Sequence, residues 1–209
     1  LNDLPLDLAL RSGQQSIAKT LINHKANINA TDKNSRTLLH RAIERGDTDS
    51  AIFLLEHGAS VVIATFDTKQ TPLHLICSQT SSDVMVANQI LLTGADPNLQ
   101  DINGNTCLHV SILSKNEPIF ELLLTAKNLA LDICNSQGHT PLALALLQLN
   151  ENKLFATKLV EKKASVDCLN PTNGNTLLHI CAMEKNEPAG IFLINHGAKV
   201  NQTNTKGET

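Results

Sequence analysis

The sequence predicts an all-α solenoid of about six helix-turn-helix units with projecting β-hairpin-like loops. Three observations predict it. A tetrapeptide of the form TPLH, or a close variant, begins at Leu4 (LPLD), Thr37 (TLLH), Thr71 (TPLH), Thr106 (TCLH), Thr140 (TPLA) and Thr176 (TLLH), and GET at the C-terminus opens another at Thr209. The successive spacings are 33, 34, 35, 34, 36 and 33 residues, and a fixed period of about 20–50 residues marks a repeat architecture. Behind the tetrapeptides, apolar residues recur at i, i+3, i+4 for two or three turns only, and turn residues then break the pattern.

Composition narrows the class. The 209 residues are 42% hydrophobic, enough for a continuous core, with 2% aromatics that are all Phe. A repeat array has no fixed domain size, so length does not count domains. The 17 basic and 20 acidic residues are interspersed and leave a net charge of −3. No basic stripe appears, which argues against general binding to phosphate backbones. Apolar runs fall far short of the ~20 residues that span a bilayer. Residues 1 to 15 carry Asp3 and Asp7 among their apolar residues, unlike a signal peptide. The chain begins at Leu1 and stops inside a motif, which reads as a segment of a longer array.

The expected units run over residues 1–31, 32–66, 67–100, 101–135, 136–170 and 171–204, with 205–209 starting another. The first carries the weakest motif, LPLD at 4–7. The second is the cleanest. Thr37 is placed to cap a helix whose stripe is Leu39, Ala42 and Ile43, and Gly46 to stop it in the left-handed conformation. Asp47 is placed to cap a second helix with the stripe Ala51, Leu54 and Leu55, ended by Gly58. In the third unit Pro72 sits in the first helical turn, where a missing N–H costs nothing. The fourth and sixth units share KNEP, residues 115–118 and 185–188, in which Pro118 and Pro188 open a second helix. There Lys115 and Lys185 replace the helix-ending glycine. Asn116 and Asn186 are expected to take the left-handed conformation, since lysine would do so at a cost of about 1 kcal/mol. The fifth unit has Pro141 in the first turn of its first helix, lacks the histidine and the first glycine, and carries about two extra residues, so the segment 146–158 is the expected weak point. Helices this short are marginal alone and need the neighbouring unit.

The TPLH motif, the helix-ending glycine, the Leu54-Leu55 pair and GADPN (94–98) resemble the ankyrin-repeat family over essentially the whole chain. The resemblance implies that His40, His74, His109 and His179 tie helix starts to neighbouring threonine and backbone groups rather than hold metal. His24, His57 and His196 share a second register near helix ends, and only His139 stands apart. No metal and no cofactor is expected. Of the five cysteines, none forms a close pair along the sequence; Cys77 and Cys181 read as free thiols on helices, and a bridge between the loop residues Cys134 and Cys168 is not expected.

Catalytic signatures are missing: there is no Gly-rich phosphate loop, GxSxG, HExxH or CxxC. The reading is a binding protein, not an enzyme. Repeat arrays bind along their concave surface, and the ankyrin resemblance assigns that surface to loop tips and exposed first-helix positions. Seven residues after the motif start stand Arg11, Glu44 and Ser78, then Leu113, Leu147 and Met183. The last three form the candidate apolar row. Val110, Leu144 and Ile180 are expected half-buried beside it, and Gln137 and His139 at an adjoining loop tip, together accepting a partner helix or extended peptide.

Longer segments, PLDLALRSGQQSIAKTLINHKANI, TPLHLICSQTSSDVM and GADPNLQDINGNTCLHVSILSKNE among them, resemble the rabankyrin-like family. That resemblance implies an N-terminal BTB domain, a long ankyrin array, a C-terminal FYVE finger that binds phosphatidylinositol 3-phosphate, and a role as effector of an early-endosomal Rab GTPase in endocytosis and macropinocytosis. It places the protein in the cytoplasm, peripheral on early endosomes. The Asn-Pro-Phe insert of some members is replaced in the fifth unit by LQLNENKLFATKL. The array itself is expected to be a monomer binding a protein partner, the Rab GTPase first, and neither nucleic acid nor membrane. The alternatives are a structural spacer without its own ligand, or an ankyrin-type regulator of another pathway such as transcription.

Overall fold

The computed structural model describes residues 4–79, 83–148 and 153–209. Its described residues form twelve α-helices in six antiparallel pairs. The pairs are α1 (Pro5–Arg11) with α2 (Gln15–Asn23), α3 (Leu38–Glu44) with α4 (Thr48–Glu56), and α5 (Pro72–Cys77) with α6 (Val84–Leu92). They continue with α7 (Cys107–Leu113) and α8 (Glu117–Leu123), α9 (Pro141–Leu147) and α10 (Leu154–Glu161), and α11 (Leu177–Met183) and α12 (Glu187–Asn195). First helices stack on first helices, as α3, α5, α7 and α9 do in turn, and second helices on second helices. The result is an all-α solenoid. The connecting loops close on themselves with antiparallel bridges at Thr31–Thr37 and Leu169–Thr176.

Local chemistry sets most helix starts. Thr37 and Thr71 precede α3 and α5 in extended conformation and accept from the backbone N–H three residues on. Pro72 and Pro141 occupy the first turn of α5 and α9. Asp47 caps α4 by accepting from the Ser50 N–H. Gly46 and Gly58 end α3 and α4 at φ 66° and 86°. The predicted stripes are buried: Leu39, Ala42 and Ile43 on α3, and Ala51, Leu54 and Leu55 on α4. One apolar core runs the length of the stack. Phe120 on α8 and Phe155 on α10 meet edge to face within it, with ring centroids 4.8 Å apart.

The KNEP turns form differently from expectation. Lys115 and Lys185 take the left-handed conformation, at φ 53° and 54°. Asn116 and Asn186 have ordinary φ of −87° and −92°. The asparagine is needed elsewhere. Its side-chain oxygen caps α8 by accepting from Ile119 N–H, or α12 from Ala189 N–H. Its amide donates back to the preceding unit, Asn116 to the carbonyls of Ile76, Cys77 and Gln79, and Asn186 to that of Leu146. These bonds outweigh the strain of about 1 kcal/mol on the lysine. Part of the expected weak point, residues 149–152, lies outside the described residues.

Candidate partner-binding groove

Five of the six first helices end at the register singled out in the sequence, and α5 stops one residue short of it, with Ser78 as its C-cap. Leu113, Leu147 and Met183 are the last residues of α7, α9 and α11, and they are 48%, 39% and 69% exposed. Arg11, Glu44 and Ser78 hold the same register in the first three pairs and are exposed too. Met183 folds back along its helix, so that its sulfur accepts from the Asn175 side-chain amide at 3.4 Å. Val110 and Leu144, expected half-buried, are core residues at 6% exposure each, because the flanking first helices cover them; Ile180, on α11, is half-buried. The apolar surface is therefore carried by the helix-end row. Gln137 is exposed at its loop tip. His139 is half-buried, its Nδ1 has no hydrogen-bond partner, and its carbonyl accepts from His109.

The motif histidines are engaged on both ring nitrogens. In His74, Nδ1 faces the Thr71 N–H at 3.4 Å and the Thr71 hydroxyl at 2.9 Å, and Nε2 faces the Asn105 carbonyl at 3.2 Å. The backbone N–H makes Nδ1 an acceptor, so the proton sits on Nε2 and is donated to the next loop. His40, His109 and His179 repeat this arrangement, reaching the carbonyls of Gln70, His139 and Glu208. Burial, the largest effect, holds the pKa of His40, His74 and His109 below the usual 6.5. His57 and His196 bond the carbonyls of Phe53 and Phe192 and stack on those rings. Among the described residues no group of three or more His, Cys, Asp or Glu is placed to hold a metal ion.

Three features escaped the sequence. Asp7 stands where other units have histidine. It is 1% exposed and lies within 3.6 Å of Arg11, 3.3 Å of Arg41 and 3.4 Å of Arg45. The ion pairs to α3 replace the missing histidine link between the first two units; LPLD gave no signal of this. All five cysteines are free. Cys77 at the end of α5 and Cys107 at the start of α7, distant in sequence, are neighbours; burial, first, and the Cys77 thiol push the Cys107 thiol well above its ordinary pKa. Such thiols are poor nucleophiles. Finally, a depression of about 780 Å³ lies on the outer face of α11 and α12, lined by Leu178, Cys181, Ala182, Met183, Ile191 and Ile194. The matching residues of earlier units, such as Leu108 and Ile112, are buried by the unit that follows.

Short capped helix pairs, their stacking and the histidine link to each following loop decide the family, and comparison with known proteins agrees. "Ankyrin repeats (many copies)" matches residues 6–55, "Ankyrin repeats (3 copies)" matches 62–129 and 83–154, and "Ankyrin repeat" matches 173–205. The chain belongs to the ankyrin-repeat family. It is 38% identical to Rabankyrin-5 of Homo sapiens and 37% identical to Rabankyrin-5 of Mus musculus, over 99% of this chain in both cases. It spans 20% of the length of these relatives. A putative palmitoyltransferase, ZDHHC13 of Danio rerio, is 30% identical over 96% of this chain and 30% of its own. Among solved structures, the ankyrin repeat domain of Bcl-3 superposes with a TM-score of 0.85 over 100% of this chain and 92% of its own, at 22% identity, a likeness of fold. The ankyrin repeat is typically a module of protein–protein interaction rather than of catalysis. Among the described residues no helix is long and apolar enough to cross a membrane.

Proposed function

We propose that residues 1–209 form one interaction array of an early-endosomal Rab effector, a scaffold in endocytic membrane traffic that binds its partner along the groove. The observation that carries the binding site is the row Leu113, Leu147 and Met183, apolar side chains left in solvent at one register of three consecutive first helices. Exposed apolar residues in register mark an interaction surface better than scattered ones. Packed helices lie 8–10 Å apart, so the row offers one anchor about every two turns of a bound helix, whose pitch is ~5.4 Å. The similarity to Rabankyrin-5 supports the Rab GTPase as partner and the early endosome as location.

The test is calorimetric titration of the array with a GTP-loaded early-endosomal Rab GTPase. Leu147→Asp would bury an unpaired charge on binding and should weaken it at least tenfold. Its melting temperature should stay within a few degrees, because the side chain is exposed. Binding by the parent and not by the variant supports both site and partner. Binding unaffected by Leu147→Asp moves the site elsewhere. No binding by the parent removes the Rab partner and favours a spacer.

A further inference from the structure

Two recurring bonds tie neighbouring units together on the loop side of the stack. One is a backbone rung between loops. The N–H of Phe66 donates to Asn34 O at 2.8 Å, that of Ile102 to Thr68 O at 2.9 Å, that of Ser136 to Asn103 O at 2.9 Å, and that of Thr205 to Asn173 O at 3.2 Å. The other is the histidine link from His40, His74, His109 and His179 to the following loop. Among the described residues both are missing at the junction between the α9–α10 pair and the α11–α12 pair. Pro171 occupies the donor position of the rung, and proline has no N–H. Ala143 occupies the position of the linking histidine.

A third exchange falls at the same place. At the loop base, Asn105 and Asn175 accept through their side chains from Asn135 and Asn204 of the next loop, at 3.0 and 2.9 Å. His139 stands at that position here. Asn170 instead reaches the carbonyls of Gln137 and Gly138, at 3.4 and 3.3 Å, the weak end of hydrogen bonding. In keeping with this, α9 and α11 pack less extensively than α3 with α5, α5 with α7, or α7 with α9. Away from the loops the junction is kept. Lys199 N–H donates to the Asp167 carboxylate at 2.8 Å, and the Asn186 amide to Leu146 O at 3.0 Å. The first junction also lacks a histidine, but there the Asp7 ion pairs with Arg41 and Arg45 take over.

We propose that the array is hinged between its fifth and sixth units, opening on the loop side about the contacts of Asp167 and Asn186. The other inner junctions open less, since each keeps its rung and its histidine. The candidate row straddles the joint, with Leu113 and Leu147 on one side and Met183 on the other. A ligand spanning the row would select the closed arrangement by its differential contacts. The hinge itself requires no ligand.

Amide hydrogen exchange of the array tests it. Asn170, Gly174 and Asn175 make the same bonds within their loop as Asp101, Gly104 and Asn105, or close equivalents. They should exchange roughly tenfold faster or more, because the junction bonds that protect the other set are missing. Pro171→Ala restores the donor. It should slow exchange roughly fivefold at Asn170, Gly174 and Asn175, and the new amide at 171 should be protected relative to an unstructured peptide. This would occur although losing a proline loosens the unfolded chain and lowers global stability. Ala143→His restores the second link and should act in the same direction. Val62→Asn is the control. It refills a different bond, the one Asn29 and Asn98 make to the next unit, and should leave residues 170–175 unchanged. Equal exchange in the two parent loops overturns the hinge. So does protection confined to the new amide at 171 in Pro171→Ala, with Asn170, Gly174 and Asn175 unchanged, or equal slowing at 170–175 in Val62→Asn.

Discussion

His74 shows what one residue does in this array. Its ring accepts from Thr71 at the start of its own helix and donates to Asn105 in the next loop, so it caps and cross-links at once. The arrangement needs a neutral imidazole, since a proton on Nδ1 would oppose the Thr71 N–H. His40, His74 and His109 have lowered pKa values, chiefly through burial, so the unfolded chain takes up protons first. Their contribution to stability is complete above the unfolded value of 6.5 and is lost as pH falls through it towards the lower folded values. The melting temperature should therefore be lower near pH ~5.5 than near pH ~7.5; an equal or higher value at the acid end would refute this. The strained lysines give a second test at this scale. Lys185 sits at φ 54°, where glycine pays no steric penalty. Lys185→Gly should raise stability to urea by up to about 1 kcal/mol, and a loss would show that the strain is not there.

At the scale of the helix, six to nine residues are too few for independent stability. Caps or a first-turn proline set most of the starts, and stacking decides whether a helix persists. Asn116 serves both purposes, capping α8 and donating to three carbonyls around the end of α5. Asn116→Ala should cost about 1–3 kcal/mol in denaturant unfolding, and Asn116→Ser less, because serine keeps a neutral capping oxygen and loses the amide donors. A serine variant as damaged as the alanine variant would make the cross-unit bonds the whole effect. The same scale separates groove from core. Leu108, one register from the surface row, is fully buried, and Leu108→Ala should cost about 2–5 kcal/mol. Leu147→Asp on the neighbouring α9 should barely change the melting temperature. Equal losses would place Leu147 in the core.

For the whole molecule, stability is a sum over units and their interfaces. Damage therefore spreads according to how strongly neighbours are coupled. Leu108→Ala should weaken hydrogen-exchange protection in the units on both sides, because the histidine links and loop rungs there are intact. Leu193→Ala, in the core of α12, should melt the sixth unit while leaving α7 to α9 protected, because the junction between them lacks both links. Uniform loss across the array in both variants would mean that the junctions are equally strong.

The sequence by itself determined the repeat, the helix caps and the buried stripes, because these depend on residues within a few positions of one another. Thr37 and its histidine, or Asp47 and Ser50, find each other through local geometry alone. It also determined the helix-end row, since a register repeated every 34 residues or so keeps its exposure. The stack decided what crosses from one unit to the next. Val110 and Leu144 are covered by neighbouring helices that the local pattern does not include. Asn116 faces three carbonyls of the preceding unit, and that need shifted the strain onto Lys115. Asp7 meets Arg41 and Arg45 only once α1 and α3 are side by side. Pro171 and Ala143, each unremarkable in its own unit, mark the same joint only because residues about 30 positions apart are brought together. Such contacts are set by the packing of one unit on the next, which no single period of the sequence contains.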